Sequence, residues 1–559
     1  MIDRINQPKI LITDKKNNSP KSFKGAETAI LSGLRTLNNS QAIGASAVDL
    51  CSMVIPRTAV EMKNRGFQSG VETAIREGSS WLLFALVGVI GMGASILTSG
   101  KINKDFGIKA QKIFASGDTL NNMSSVWNKA NGNVQQYFDG FLSSIKGLNG
   151  TEWKTVSAEA KPAVIENLVK LADKSKELAS GKSASPALRK EVKNLKELVV
   201  SQIIKDTGAS ASYKLKAEGA KKVVSTDIGE LVDNAVVLSN SFKERTKETL
   251  PKFIKALSQN KLASTVLGLG VCAALCMAVQ PMNRYLTKKR TGEDGFVGVK
   301  GRKADNSKEF KALKTGLGVG FTAMAVKTIG KLGDLAQNVQ FNGKFASINQ
   351  FKLLYGLTIS SRFMAARDKD ELREMVIKDT LGFTNWLIFG GMVSKLIARG
   401  IGGKELINNP VAQEGGKKGI KYAAKWLAKA SVKSYDEVLL PKMKDIAKDG
   451  KVLKFTEMFK SADGATKTKL MKIAGSQVAG YLYSGLVLGV GIAKLNIFIT
   501  KKLNEKRAKN NPQINNTNNK NAQGGLDTVL DENKKAAKPA DTFMKYAKDN
   551  LSSVFKDFA

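Results

Sequence analysis

Three stretches of this chain, Trp81 to Gly100, Leu262 to Met282 and Ile473 to Ala493, contain no charged side chain. A bilayer with roughly 30 Å of hydrocarbon is crossed by about 20 helical residues. A helix bonds its own backbone polar groups, which is why uninterrupted apolar runs of this length settle in lipid. The runs therefore predict transmembrane helices over 81–100, 262–282 and 473–499, the last extended by Leu495 to Thr500. A shorter run, Thr380 to Ser394, ends at Lys395, whose ammonium can snorkel to the headgroups, and predicts a fourth span over 380–398. Residues 315–361 form a candidate membrane hairpin. Inside lipid its Lys327 and Lys352 would have to face the bundle interior or an aqueous path, whereas on a surface hairpin they carry little meaning.

The remainder divides around these runs. Residues 1–80 read as an amphipathic, cytoplasmic N-terminal region, with no apolar core of signal-peptide length before Lys24. Residues 101–261 form a helical soluble insert. Ser185 and Pro186 supply an N-cap and a first-turn proline, and Leu188, Val192, Leu195, Val199 and Ile203 follow on one stripe. Val164, Leu168 and Leu171 start a similar face upstream, so the insert reads as a helical bundle. Residues 283–314 form a basic cytoplasmic loop and 399–472 a second helical insert. Residues 500–540 read as a disordered polar tail, and 541–559 as a short amphipathic helix with Phe543, Ala547, Leu551, Val554 and Phe558 on one face.

The chain also resembles itself. Glu72 to Glu77 and Glu374 to Asp379 both read Glu-x-x-Ile-basic-acidic, and both lead into Trp-Leu-x-Phe, at Trp81 and Trp386. Asn283 to Lys289 and Asn496 to Lys502 both read Asn-x-aromatic-aliphatic-Thr-Lys-Lys. Two motifs recurring in one order around a span, an insert and a span indicate an internal duplication. The expected fold class is thus all-α: a polytopic membrane helix bundle with two helical extramembrane inserts. Lys and Arg crowd Arg284 to Lys314 and Lys501 to Lys509, which places those ends, and with them both termini, in the cytoplasm and the inserts outside. The count is four spans, or six if the hairpin crosses.

Composition narrows the chemistry. The chain has no histidine, which removes histidine-dependent hydrolases and the commonest zinc ligand. Three cysteines, Cys51, Cys272 and Cys276, are too few for a four-thiolate metal site. No catalytic, cofactor-binding or metal-ligating set emerges, so an enzyme is disfavoured. The net charge of +39 suits lysine-rich loops on anionic lipid, with no specific nucleic-acid partner. Two groups are candidate contacts for anions or lipid headgroups: Lys300, Arg302 and Lys303 in the glycine-rich loop, and Lys417, Lys421, Lys425, Lys429 and Lys433 at four-residue steps. Small residues at four-residue steps, such as Gly91 with Ser95 and Gly485 with Gly489, suit close helix packing or a homo-oligomer. Lys and Asn usage, densest at Asn510 to Asn521, points to an AT-rich bacterial genome and a bacterial inner membrane. The expected role is structural: a multi-pass membrane anchor or scaffold whose inserts meet a protein or envelope partner. The alternative is a transporter or channel built from two parallel repeats.

Overall fold

A computed structural model describes residues 24–510, apart from residues 40, 148–159, 181–184, 208–212, 216–223, 298–302, 342–345, 389–390, 410 and 413–418. Residues 511–559, which hold most of the expected tail and the terminal amphipathic helix, lie outside the described residues, as do Lys300, Arg302 and Lys417; the first part of the expected tail, Thr500 to Asn510, is instead the end of a helix. The structure is predominantly helical, and four of its helices are long and apolar enough to cross a membrane: Ile43–Arg65, Phe67–Thr98, Thr249–Thr291 and Gly464–Arg507.

Helix α1 (Lys24–Asn39) precedes α2, in which Gln41–Val48 passes through a π-helical Asp49–Val54 into Ile55–Arg65. Gly66, at φ +91°, separates α2 from α3 (Phe67–Thr98), a conformation in which a side chain would be strained. The first insert then folds as α4 (Gly117–Lys129), α5 (Val134–Ser144), α6 (Ala160–Ser180), α7 (Pro186–Thr207) and α8 (Ile228–Lys243). A small antiparallel sheet pairs Ile145–Gly147 with Tyr213–Leu215, and the latter with Val224–Thr226. Helix α9 (Thr249–Thr291) leaves the insert and runs back along α3. Helices α10 (Lys308–Ile329) and α11 (Ile348–Ala365) form a hairpin packed on α9. Next come α12 (Lys369–Phe383, continued by π-helical Thr384–Ile388) and α13 (Met392–Gly402). The second insert holds α14 (Ile420–Lys429), α15 (Tyr435–Leu439) and α16 (Phe455–Ser461). The final helix, α17, joins Gly464–Tyr483, π-helical Ser484–Gly491 and Ile492–Asn510.

Two hydrophobic cores organise these elements. One runs through both inserts, from Leu120, Tyr137, Phe138 and Phe242 to Tyr435, Leu439 and Phe455. Leu168, Leu171, Leu188, Val199 and Ile203 are buried, and Val192 and Leu195 are partly buried against that core. Lys205 crosses between the inserts to donate to the Lys444 carbonyl at 2.7 Å. The inserts are therefore one head rather than two modules. The second core lies among the long helices, with Phe84, Val87, Cys272, Phe321, Tyr355 and Phe383 at its centre.

Two expectations are corrected. The 380–398 run is not one helix, because α12 ends through a π-helical turn and α13 starts afresh after Gly391, at φ +75°. Its far end instead enters the head core at Ala398. The region 1–80, read as cytoplasmic and without a span, contains the apolar helix Ile43–Arg65. Its apolar character is masked in sequence by Asp49, Arg57 and Glu61, all of which turn inward. Ahead of it, α1 packs on the second insert: Leu31 is buried in the head core and Arg35 pairs with Asp436 at 2.6 Å. Thus α1 shares a side with the inserts, where the sequence reading put the chain start on the opposite side.

The outer faces of the long helices are apolar and exposed. Leu97 is 79% exposed, Val266 62% and Leu486 65%, and Leu82, Leu86, Val271 and Phe498 extend the same belt. From Trp81 to Thr98 the helix rises about 27 Å at roughly 1.5 Å per residue, close to the hydrocarbon thickness of a bilayer. Backbones within the belt meet at small residues: the Gly91 Cα lies 3.3 Å from where a Gly268 side chain would begin.

A candidate functional site in a buried ionic layer

The charges that end the apolar runs do not point outward. Helix periodicity places Glu72, Arg76 and Glu77 on the inner face of α3, and the corresponding Glu374, Lys378 and Asp379 on the inner face of α12. Arginines come from elements that precede each motif: Arg57 and Arg65 from α2, Arg362 from α11, and Arg367 from the turn after it. Arg57 is 2% exposed and Arg362 1%. Lone charges at that depth would cost several kcal/mol each, so the geometry has to pair them.

It does so in two tiers. In the inner tier, Arg362 reaches Glu77 at 2.8 Å and Asp379 at 3.0 Å, while Lys378 reaches Glu77 at 2.7 Å. Arg57 stands 3.9 Å from Glu77 and donates to the Leu488 carbonyl at 3.4 Å. In the outer tier, Arg65 pairs with Glu374 at 2.6 Å and with Glu61 at 3.2 Å. Arg367 pairs with Glu72 at 2.7 Å and with Glu371 at 2.7 Å. Burial disfavours the Arg367 cation, and Glu371 and Glu72 more than restore it, so its pKa rises.

The outer tier is reciprocal. Arg65 precedes Glu72 by seven residues and Arg367 precedes Glu374 by seven, yet each arginine pairs with the other motif's glutamate. The asparagines behave alike: Asn283 donates to the Glu72 carbonyl at 3.5 Å, and Asn496 to the Glu374 carbonyl at 3.1 Å. Each Oδ1 is buried with no hydrogen-bond partner. Thr287 and Thr500 are both buried one turn further on, and Thr500 donates to Glu374. The helices are exchanged in the same sense, since α11 packs on α9 while the π-helical turn of α2 packs on that of α17.

Between the tiers lies a cavity of about 30 Å³, lined by Arg65, Glu72, Arg76, Glu374, Lys378 and Asn496. That is room for about one water. Phe296, from the basic segment after α9, closes it: the Arg65 guanidinium lies 4.7 Å and that of Arg367 6.0 Å from the ring centroid. These are cation–π distances. No family model, curated protein or solved structure matches this chain. Its chemistry is therefore read from geometry alone. Among the described residues, no group of three or more Asp, Glu or Cys side chains is arranged to hold a metal ion. The layer's cations and carboxylates neutralise one another, which makes it a clamp between helices.

The residues singled out from sequence lie elsewhere. Lys327 is exposed at the last turn of α10, and Lys352 is half-buried with its ammonium 3.4 Å from the Thr328 carbonyl. Lys303, Lys421, Lys425 and Lys429 are exposed and Lys433 half-buried, with Tyr422 and Trp426 turned into the second insert. The layer contains none of them. The two acidic motifs were visible as a repeat, and a sharper signal was present: an arginine seven residues before each motif glutamate, at the foot of an apolar run.

Proposed function

We propose that this protein is a multi-pass membrane scaffold: two duplicated halves clamped by the ionic layer carry one helical head on the face opposite the basic loops. The observation that carries the reading is the closed ionic layer. At its level the halves meet through an apolar core, mutually neutralised charges and a cavity of water size, while both inserts and α1 fuse into a single packed head. Reciprocal pairing of Arg65 with Glu374 and Arg367 with Glu72 supports the duplication, with a pseudo-twofold axis along the membrane normal.

The same geometry supports seven passages. The α10–α11 hairpin starts beside Arg367, where Asp305 bonds its carbonyl at 2.8 Å. It reaches the head, where Gln340 accepts from Gly117 at 2.8 Å, and returns to Arg362. The α12–α13 segment runs from Asp370, paired with Arg507, to the head core. With α2, α3, α9 and α17 this makes seven, placing α1 and the head outside and the Lys501 end in the cytoplasm by the positive-inside bias.

The deciding experiment is flux in proteoliposomes beside photo-crosslinking from the head surface in the producing bacterium. The scaffold reading expects background permeability to ions and small solutes and a discrete crosslinked envelope component. A second reading, transport, draws on the Phe296-closed cavity on the axis between the halves. Solute flux above background that rises when Phe296 is replaced by alanine would favour it.

A further inference from the structure

A second cavity, unrelated to the ionic layer, lies beneath the second insert where the apolar belt meets the head. It is a cleft of about 490 Å³ between α1 and α2, the start of α11, the π-helical turn after α12, the start of α13, and α17. Lys352 and Lys395 both line it. Lys395 is 2% exposed, and its ammonium donates to the Leu427 carbonyl; the Lys352 ammonium donates to the Thr328 carbonyl. Each has further N–H donors, and neither forms an ion pair with a carboxylate among the described residues. The carboxylate lining the cleft, Glu437, is committed to the Ser434 amide at 2.7 Å and to Asn408 at 3.0 Å. The Oδ1 of Asn385, also in the lining, is buried without a hydrogen-bond partner.

The cleft thus carries cations, and Leu37, Ile348, Leu387 and Ile473 add apolar wall among the serines and amides that also line it. Ile348 is partly exposed at its edge, and Ile43 and Leu482 continue the exposed belt beside it. Uncompensated ammonium groups beside apolar wall at the head-side end of the belt match an anion carried on acyl chains. We propose that this cleft binds one anionic phospholipid, its phosphate held by Lys352 and Lys395 and its chains lying along the α2 and α17 faces. The inference uses the membrane placement but neither the scaffold nor the transport reading, so its failure leaves both intact.

The test is native mass spectrometry and thermal melting of the delipidated full-length chain in neutral detergent. The probes are phosphatidylglycerol, phosphatidylcholine with the same chains, and inorganic phosphate. Expected is one retained phosphatidylglycerol, preferred over phosphatidylcholine by roughly tenfold, the order set by two lysines near a lipid phosphate. Lys352→Gln and Lys395→Met should each bring that preference down to about threefold, since each lysine supplies about half of it. If Lys395→Met fails to fold, Lys352→Gln alone decides. Equal retention of the two lipids, a preference unchanged in the variants, or stabilisation by inorganic phosphate matching that of the lipid would each overturn the assignment.

Discussion

Arg367 holds Glu72 at 2.7 Å across 295 positions of the chain, and it does so while also bonding its own near neighbour Glu371. The pair ties the helix that enters the first insert to the segment that enters the second. Removing one partner strands a buried charge, at a cost of about 3–5 kcal/mol, whereas replacing both by apolar groups of similar volume is close to neutral. Arg367→Ala should therefore lower the melting midpoint in detergent more than the triple change Arg367→Met with Glu72→Leu and Glu371→Leu, which leaves neither carboxylate stranded. Glu374→Ala should mirror Glu72→Ala, because the one leaves Arg65 with Glu61 alone as the other leaves Arg367 with Glu371 alone.

Phe296 is the lid of the small cavity, so Phe296→Ala should admit a thiol reagent from the basic side to a cysteine placed at Thr73, which lines it. The reference is the same Thr73→Cys change with Phe296 intact, where labelling should be at least about tenfold slower, the factor that roughly 1.4 kcal/mol of closure provides.

Sidedness can be read by labelling single cysteines in a background lacking Cys51, Cys272 and Cys276. Thr36→Cys in α1 and Ser185→Cys at the cap of α7 should react from one face of sealed vesicles, and Lys289→Cys and Lys502→Cys from the other. Reaction of Thr36→Cys together with Lys502→Cys would refute the seven-passage arrangement.

At the crossing of α3 and α9, a side chain at Gly91 would run into the Phe341 ring, which sits against it. Gly91→Leu should destabilise by about 1–3 kcal/mol, the usual cost of overpacking a tight core, and Phe341→Ala in the same chain should recover part of it.

Much of this architecture was legible in the residues. Charge-free runs located three of the four long apolar helices, because a helix that bonds its own backbone needs only apolar side chains to settle in lipid. Ile43–Arg65 was hidden by Asp49, Arg57 and Glu61, whose charges count against a span until partners from distant segments are known. The 380–398 run is broken where a single helix was expected, since an apolar composition does not reveal a break set by backbone geometry at Gly391. The recurring acidic motifs pointed to residues of the ionic layer, but their cross-pairing is a tertiary fact that spacing alone does not carry. The lysines picked out by regular spacing proved to be mostly solvated faces, whereas Lys395, chosen only as a span border, is buried in the cleft.

The exchange of helices has a consequence for biogenesis. When the ribosome has released α2, its Arg65 has no distant glutamate to meet, because Glu374 is synthesised roughly three hundred residues later. On the membrane-scaffold reading the first half waits with Arg65 held by Glu61 alone and Glu72 without Arg367, sheltered by the insertion machinery or by water, until α12 arrives. Two fragments cut within the basic segment after α9 and co-expressed should each complete the other, whereas either alone should be cleared by proteases.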